Sequence, residues 1–231
     1  MPDEGEWYEV KQGEWLTKIA IDHKFANCDA IWNHPENSGL KKRRSQNILY
    51  PGDLLFLPAK DQRQESCPTE KRQRFQLKRL WDTFQLRILD GFKRPIANTP
   101  YVLQIGAQKF TGNTDGNGHL HHEKIDPKYA VTASLELTKL GIILPVALGD
   151  LNPAHKHTPE EQGPYDNGLS GIQMRLANLG YDPGNTDGDM DSGTISAITM
   201  FQIFEMNRSA EKASGELDDD TRKALAAQHE S

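Results

Sequence analysis

The sequence predicts a multidomain α+β chain: a small β-α-α-β module, then an antiparallel β-sandwich, then an all-α module of three helices. Three observations predict it. Before residue 60, apolar alternation gives way to helical spacing and then returns to alternation. Between residues 84 and 137, short β-branched and aromatic runs are separated by tight-turn signals. From Leu169 onward, apolar residues recur at helical spacing.

The first module, residues 1–60, opens with Tyr8-Glu9-Val10-Lys11, whose alternation has the period of a strand. Gly13 breaks it, and Trp15, Leu16, Ile19 and Ala20 then fall on one helix face. A second short helix is expected near CDAIWNH (28–34), with Trp32 at a core position. NHPENSGLKKRRSQN (33–47) reads as a loop and its KKRR run (41–44) as a solvated stretch. ILYPGDLLFLPA (48–59) closes the module as a strand introduced by a Pro51-Gly52 turn.

Residues 61–74 are almost all polar and have the composition of a linker. In the middle segment, 75–150, the strand candidates are FQLRILD (84–90), TPYVLQI (99–105), QKFTG (108–112) and AVTASLEL (130–137). Asp115-Gly116 and Asn117-Gly118 tolerate positive φ, so TDGNGHL (114–120) is a tight turn. LGIILPVALG (140–149), the longest apolar run, is interrupted by Pro145. It reads as a buried strand and is far too short to span a bilayer.

Residues 151–167 are rich in Pro, His and Gly and read as a second linker. In the last segment, 168–231, Leu169, Ile172, Met174, Leu176 and Leu179 give a helical pattern, and Gly180 suits its C-cap. A loop, YDPGNTDGDMD (181–191), precedes a second helix over 194–208, with Ile195, Ile198, Phe201 and Ile203 or Phe204 facing inward. Asp218-Asp219-Asp220-Thr221 caps a last helix at RKALAAQ.

With 26% charged residues and a formal net charge of −6, the chain is well hydrated, and generic binding to nucleic acid or to acidic membranes is not expected. MPDEGEW lacks a basic n-region and an apolar h-region, so synthesis in the cytoplasm without a secretory signal is expected. Cys28 and Cys67 lie far apart, with no CxxC. They are expected as reduced thiols and make no zinc site.

Two separated motifs carry the first resemblance. Tyr8-x-Val10-x-x-Gly13-Glu14-x-Leu16-x-x-Ile19-Ala20, then Ile48-x-x-Pro51-Gly52-Asp53-x-Leu55-x-Leu57-Pro58, resemble the LysM domain. That family is a βααβ module that binds N-acetylglucosamine polymers such as peptidoglycan and chitin. The resemblance implies a shallow glycan groove between Gly13, Glu14, Trp15 and Leu16 on one side and Ile48, Leu49, Tyr50, Pro51 and Gly52 on the other. Trp15 stands where the family usually has threonine or serine. Sugars offer flat C–H faces, which makes Trp15, Trp32 and Tyr50 the candidate aromatic contacts. Trp15→Ala is then expected to weaken binding to chitin oligomers and leave the fold intact.

The C-terminal motifs are Ile172-Gln173-x-Arg175-Leu176-x-x-Leu179-Gly180-Tyr181, Asp187-Gly188 and Thr194-x-x-Ala197-Ile198-x-x-Phe201-Gln202. Gly215-Glu216-Leu217-Asp218-x-x-Thr221-x-x-x-Leu225 repeats their Asp–Thr–Leu grammar. Together they look like the three-helix peptidoglycan-binding domain found beside many cell-wall hydrolases. The resemblance implies a glycan site drawing on Arg175, Tyr181, Asp187, Gly188 and Thr194, although Met190-Asp191 replaces the usual Phe-Gly in the bordering loop. In the middle segment, Pro95-Ile96-Ala97-Asn98-Thr99-Pro100-Tyr101 and Gly112-x-Thr114-Asp115-x-x-Gly118 look like the transthyretin-like or immunoglobulin-like sandwiches attached to proteins of type VI secretion loci.

No catalytic set emerges. His119 and His121 share one strand face next to His122, but no carboxylate or cysteine stands at a paired ligand spacing, so they read as exposed strand residues. Asp182, Asn185, Asp187, Asp189 and Asp191 fail the EF-hand spacing and read as turn and cap residues. Glu14 has no partner acid, and a glycosidase needs two carboxylates across the bond.

The expectation is a monomeric, non-catalytic binder of peptidoglycan or a chitin-like oligosaccharide, with no metal and no cofactor. The resemblances place it at a type VI secretion or related contractile injection machine, which delivers it to the periplasm or cell wall. One alternative is an adaptor that docks spike, baseplate or effector proteins. The other is a cell-wall-targeted effector of unrecognised activity.

Overall fold

A computed structural model describes residues 5–60, 72, 80–128, 132–149, 151–157 and 165–229. Most of the first expected linker, Cys67 included, lies outside the described residues. The chain forms two compact units. Met1–Tyr8, Gly13–Asn47 and Leu54–Asp150 make the first; Glu9–Gln12, Ile48–Asp53 and Leu151–Ser231 make the second. No helix among the described residues is long and apolar enough to cross a membrane.

The N-terminal elements are β1 (Glu6–Glu9), α1 (Leu16–Asp22), α2 (Asp29–Trp32), a 3-10 turn (Pro35–Asn37), α3 (Ser38–Lys41) and β2 (Leu54–Leu57), with β1 and β2 paired. Leu16, Ile19, Ala20, Ile31, Trp32, Leu40, Leu55 and Leu57 are buried. The stretch expected as a loop at 33–47 thus contains two short helical turns. The reason is Asn37, which is fully buried: its Nδ2 donates to the carbonyls of Ile31 and Phe56, and its Oδ1 accepts from the Phe56 N–H. That side chain does for the edge of β2 what a neighbouring strand does elsewhere. The KKRR run is also only partly solvated, because Arg44 is buried.

The rest of the first unit is β-rich. β3 (Asp82–Arg87) pairs antiparallel with β6 (His119–Ile125). A four-stranded antiparallel sheet runs in the order β5 (Gln108–Asn113), β4 (Pro100–Ile105), β7 (Thr132–Leu137), β8 (Ile142–Ala147). Phe84, Leu120 and Ile125 from the pair share one core with Tyr101, Leu103, Ile105, Leu135 and Leu137 from the sheet. Period-two alternation is what puts these residues on a common face. In β6 it turns His119 and His121 outward and His122 inward, where its Nε2 lies 2.8 Å from the Tyr101 hydroxyl. The 140–149 run is a strand but not a buried one. β8 is the sheet edge, so Leu144 and Val146 pack on the core while Ile143 stays 67% exposed.

One member of this core comes from far upstream. Trp15, the residue preceding α1, is 6% exposed and packs among the strand residues. Its Nε1 donates to Asp82 Oδ2 at 2.6 Å. A Cβ at Gly149 would overlap the indole ring, so glycine is needed there for space as well as for its φ of +73°.

The second unit is built on α4 (Leu169–Asn178), α5 (Ser192–Phe204) and α6 (Asp219–His229), with Ile172, Leu176, Ala197, Ile198, Phe201 and Leu225 as its core. Ile195, expected inward on α5, is 42% exposed, and of the alternatives Ile203 and Phe204 the first is half-buried and the second 64% exposed. The helix is too narrow for both flanks of the Ile198–Phe201 stripe to be covered. Asn152 and Pro153, from the second expected linker, are buried. The Asn152 carbonyl accepts from Arg175, and the Ala154 carbonyl accepts from Arg222. The Tyr50-to-Asp53 turn belongs to this unit too. The Tyr165 hydroxyl donates to Asp53 Oδ1 at 3.1 Å, and the His157 and Tyr165 rings stack 4.1 Å apart with Tyr50 edge-on to both.

Candidate functional site

The three helices of the second unit are joined by one device used twice. Gln173 on α4 is fully buried; its Nε2 donates to the Asp189 carbonyl and to Thr194 Oγ1, and its Oε1 accepts from the Gly188 N–H at 2.8 Å. Gln202 on α5 is equally buried and donates to the Glu216 carbonyl and Thr221 Oγ1, while accepting from the Gly215 N–H at 3.1 Å. Each amide thereby fastens the loop that leads into the next helix. The next helix is capped in the same way in both cases. Asp191 Oδ1 accepts from the Thr194 N–H at 2.8 Å, and Asp218 Oδ1 accepts from the Thr221 N–H at 2.7 Å.

Two of the five residues expected at a glycan site, Gly188 and Thr194, belong to this node, and a third, Arg175, is buried against other carbonyls of the unit. Thr194 is fully buried as a partner of Gln173. Gly188 has φ +89°, and a Cβ there would meet the Asp166 carboxylate at 2.5 Å. Arg175 is 3% exposed, with Nη1 donating to the Asn152 and Gly171 carbonyls at 2.7 and 2.9 Å. These three hold the fold. Asp187 is exposed and accepts from the Asp189 N–H, and Asp182 and Asp191 make similar local turns. Among the described residues no cluster of three or more His, Cys, Asp or Glu is placed to hold a metal.

Tyr181 is different. It follows Gly180, which ends the α4 turn at φ +87°. Its ring lies edge-on to Phe201 and its hydroxyl donates to Glu205 Oε1 at 2.6 Å. Burial, reinforced by the Glu205 charge, pushes the phenol well above its ordinary pKa and keeps it a donor. Beyond Glu205 lies a shallow hollow of about 330 Å³, lined by Glu205, Ala224, Ala227 and Gln228. Ala224, Ala227 and Gln228 follow the three- and four-residue spacing of one face of α6. The sequence pointed to Tyr181 but not to these four. The only signal was two small residues at helical spacing in KALAAQ, which also describes a good helix former.

The residues expected to line a groove at the N-terminus fall in both units. Gly13, Glu14, Trp15 and Leu16 belong to the first unit; Ile48, Leu49, Tyr50, Pro51 and Gly52 belong to the second. Trp15 and Leu16 are buried in the first, and Leu49 and Tyr50 are buried in the second at 4% and 7% exposure. Trp15 is therefore a core residue and not a stacking face, and Trp32 is likewise core. Glu14 accepts both of its contacts with the Tyr8 hydroxyl, at 3.0 and 2.8 Å. Burial and that carboxylate push Tyr8 up to about 12.

With this geometry in place, the comparisons with known proteins fall on the second unit. Residues 166–225 match the family model described as "Putative peptidoglycan binding domain". The matched stretch runs from Asp166, whose carboxylate accepts from the Ser170 and Gly168 N–H groups, to Leu225 in the helical core. It contains both glutamine nodes, Tyr181 and Glu205. The C-terminal region is thus similar to that family, and it sits in a chain that also carries antiparallel sheets. No curated protein and no solved structure matches the chain.

Proposed function

We propose that the chain is a non-catalytic peptidoglycan-binding protein whose grip on the wall is the three-helix domain. The observation that carries this is the match of residues 166–225. Its hollow beside Tyr181 and Glu205 supports a binding role, being concave and lined by small apolar and polar groups. The resemblance of the middle segment to sandwiches of type VI secretion loci supports placing the protein with a contractile injection machine that carries it from the cytoplasm to the wall. Incubation of the purified full chain with peptidoglycan sacculi tests the central claim. Retention in the insoluble fraction is expected, without dye release from labelled sacculi. A chain that stays in the supernatant overturns it.

A second reading is favoured by one observation. Trp15, Leu16, Leu49 and Tyr50, the residues that would line a LysM-type groove, are all buried by this chain's own side chains. That supports a LysM-like segment used for docking protein, with spike, baseplate or effector proteins as further partners. Co-purification with such proteins, in a chain that sacculi do not retain, puts the adaptor first.

A further inference from the structure

Resting on the peptidoglycan-binding reading, we infer that the hollow of the three-helix domain takes the peptide stem of peptidoglycan, at a residue carrying a free side-chain amine, and not the glycan strand. Three features select this chemistry. First, the hollow presents a carboxylate, that of Glu205. A carboxylate favours a cation, and N-acetylated sugars carry none, whereas the diamino acid of a peptide stem carries an ammonium.

Second, the hollow's other lining residues are Ala224, Ala227 and Gln228. Two methyls suit an alanyl side chain or an alkyl stem. A primary amide both donates to and accepts from a peptide bond. Third, none of the four lining residues is aromatic. Tyr181, whose hydroxyl reaches Glu205, has its ring edge against Phe201. A sugar face finds no platform there. The Tyr181 hydroxyl also fixes the carboxylate in place, so the acceptor is oriented before any ligand arrives.

The test uses the full chain and three probes: a synthetic N-acetyl-L-alanyl-γ-D-glutamyl-lysine tripeptide, whose only amine is that of the lysine side chain, the same peptide with its lysine amine acetylated, and an N-acetylglucosamine hexamer. Titration calorimetry reads binding, and sacculus retention is measured in parallel. The free-amine peptide is expected to bind and the acetylated one to bind about tenfold more weakly. Glu205→Gln keeps the acceptor for Tyr181 but removes the charge; it is expected to weaken the free-amine peptide about tenfold and leave the acetylated one unchanged. Ala227→Leu, which fills the hollow from a partly solvated helix face, is expected to weaken both. Binding of the hexamer in place of the peptides, in a chain that sacculi retain, overturns the inference and leaves the wall-binding reading standing. So does a Glu205→Gln chain with unchanged affinity. Absence of retention on sacculi overturns the reading and the inference with it.

Discussion

Gln173 and Gln202 are neutral side chains with no solvent contact, and each fastens one loop of the C-terminal unit. Each satisfies two acceptors and a donor in its loop. Removing one leaves a buried N–H, a carbonyl and a hydroxyl without that partner, and the cost of unmet buried groups exceeds the net worth of the bonds lost. Gln173→Ala is expected to lower unfolding free energy by about 2–4 kcal/mol, read by urea denaturation. Gln202→Ala is expected to match it; a loss below about 0.5 kcal/mol in either removes the node's structural role. Both glutamines stood inside recognisable motifs, but a sequence does not say which polar residues face inward. Arg175 and Thr194 were misread for the same reason. Charged and hydroxyl side chains are usually solvated, and the carbonyls of Asn152 and Gly171, placed by the fold, help make burial of this guanidinium tolerable.

Among the elements, the helix ends were the most legible, because a cap is a local event between residues three apart. The Asp–Thr spacing gave both the α5 and α6 starts. Asp218 is also held by Arg208, with Nη1 donating to Oδ2 at 2.7 Å, and this guanidinium is the main reason its carboxyl lies far below the usual carboxylate range. A depressed folded pKa means that the contribution is complete above the unfolded value of about 3.9 and fades as pH falls below it. Asp218→Ala is expected to cost about 1 kcal/mol at pH 7 through the lost cap and to show a shallower loss of stability between pH 5 and pH 2 than the unaltered chain. Parallel acid and alkaline-neutral denaturant melts measure both, and equal slopes in the two proteins refute the assignment. Less legible were the helical turns at 35–41 and the strand β6. The first depends on Asn37 reaching Phe56, nineteen residues on. The second is a His-rich run with only Leu120 and Ile125 buried, too polar to announce a strand by composition.

For the whole molecule, the mixed α and β class and the helical C-terminal region were legible in the sequence, and the grouping into two units was not. Composition marks where a chain is polar; it does not mark which distant surfaces bury each other. The indole of Trp15 reads as a turn-exposed aromatic until Asp82 and Gly149 are seen against it. Trp15→Ala is therefore expected to destabilise the first unit by about 3–5 kcal/mol, not to leave it intact. Trp7, 53% exposed on β1, provides the control: Trp7→Ala is expected to stay within about 0.5 kcal/mol. Differential scanning calorimetry of the two variants decides it, and a Trp15→Ala chain that melts like the Trp7→Ala chain shows that the indole is not part of that core.

The same indole sets a timetable for synthesis. Its hydrogen-bond acceptor lies 67 residues downstream, and the glycine it lies against is later still. At about 5–20 residues per second, a ribosome needs roughly 3–13 s to supply Asp82 after Trp15 has been made. Throughout that interval the nascent N-terminal segment carries an aromatic ring with nowhere to go. The ring is enclosed only once the strands of the β-rich region have been made.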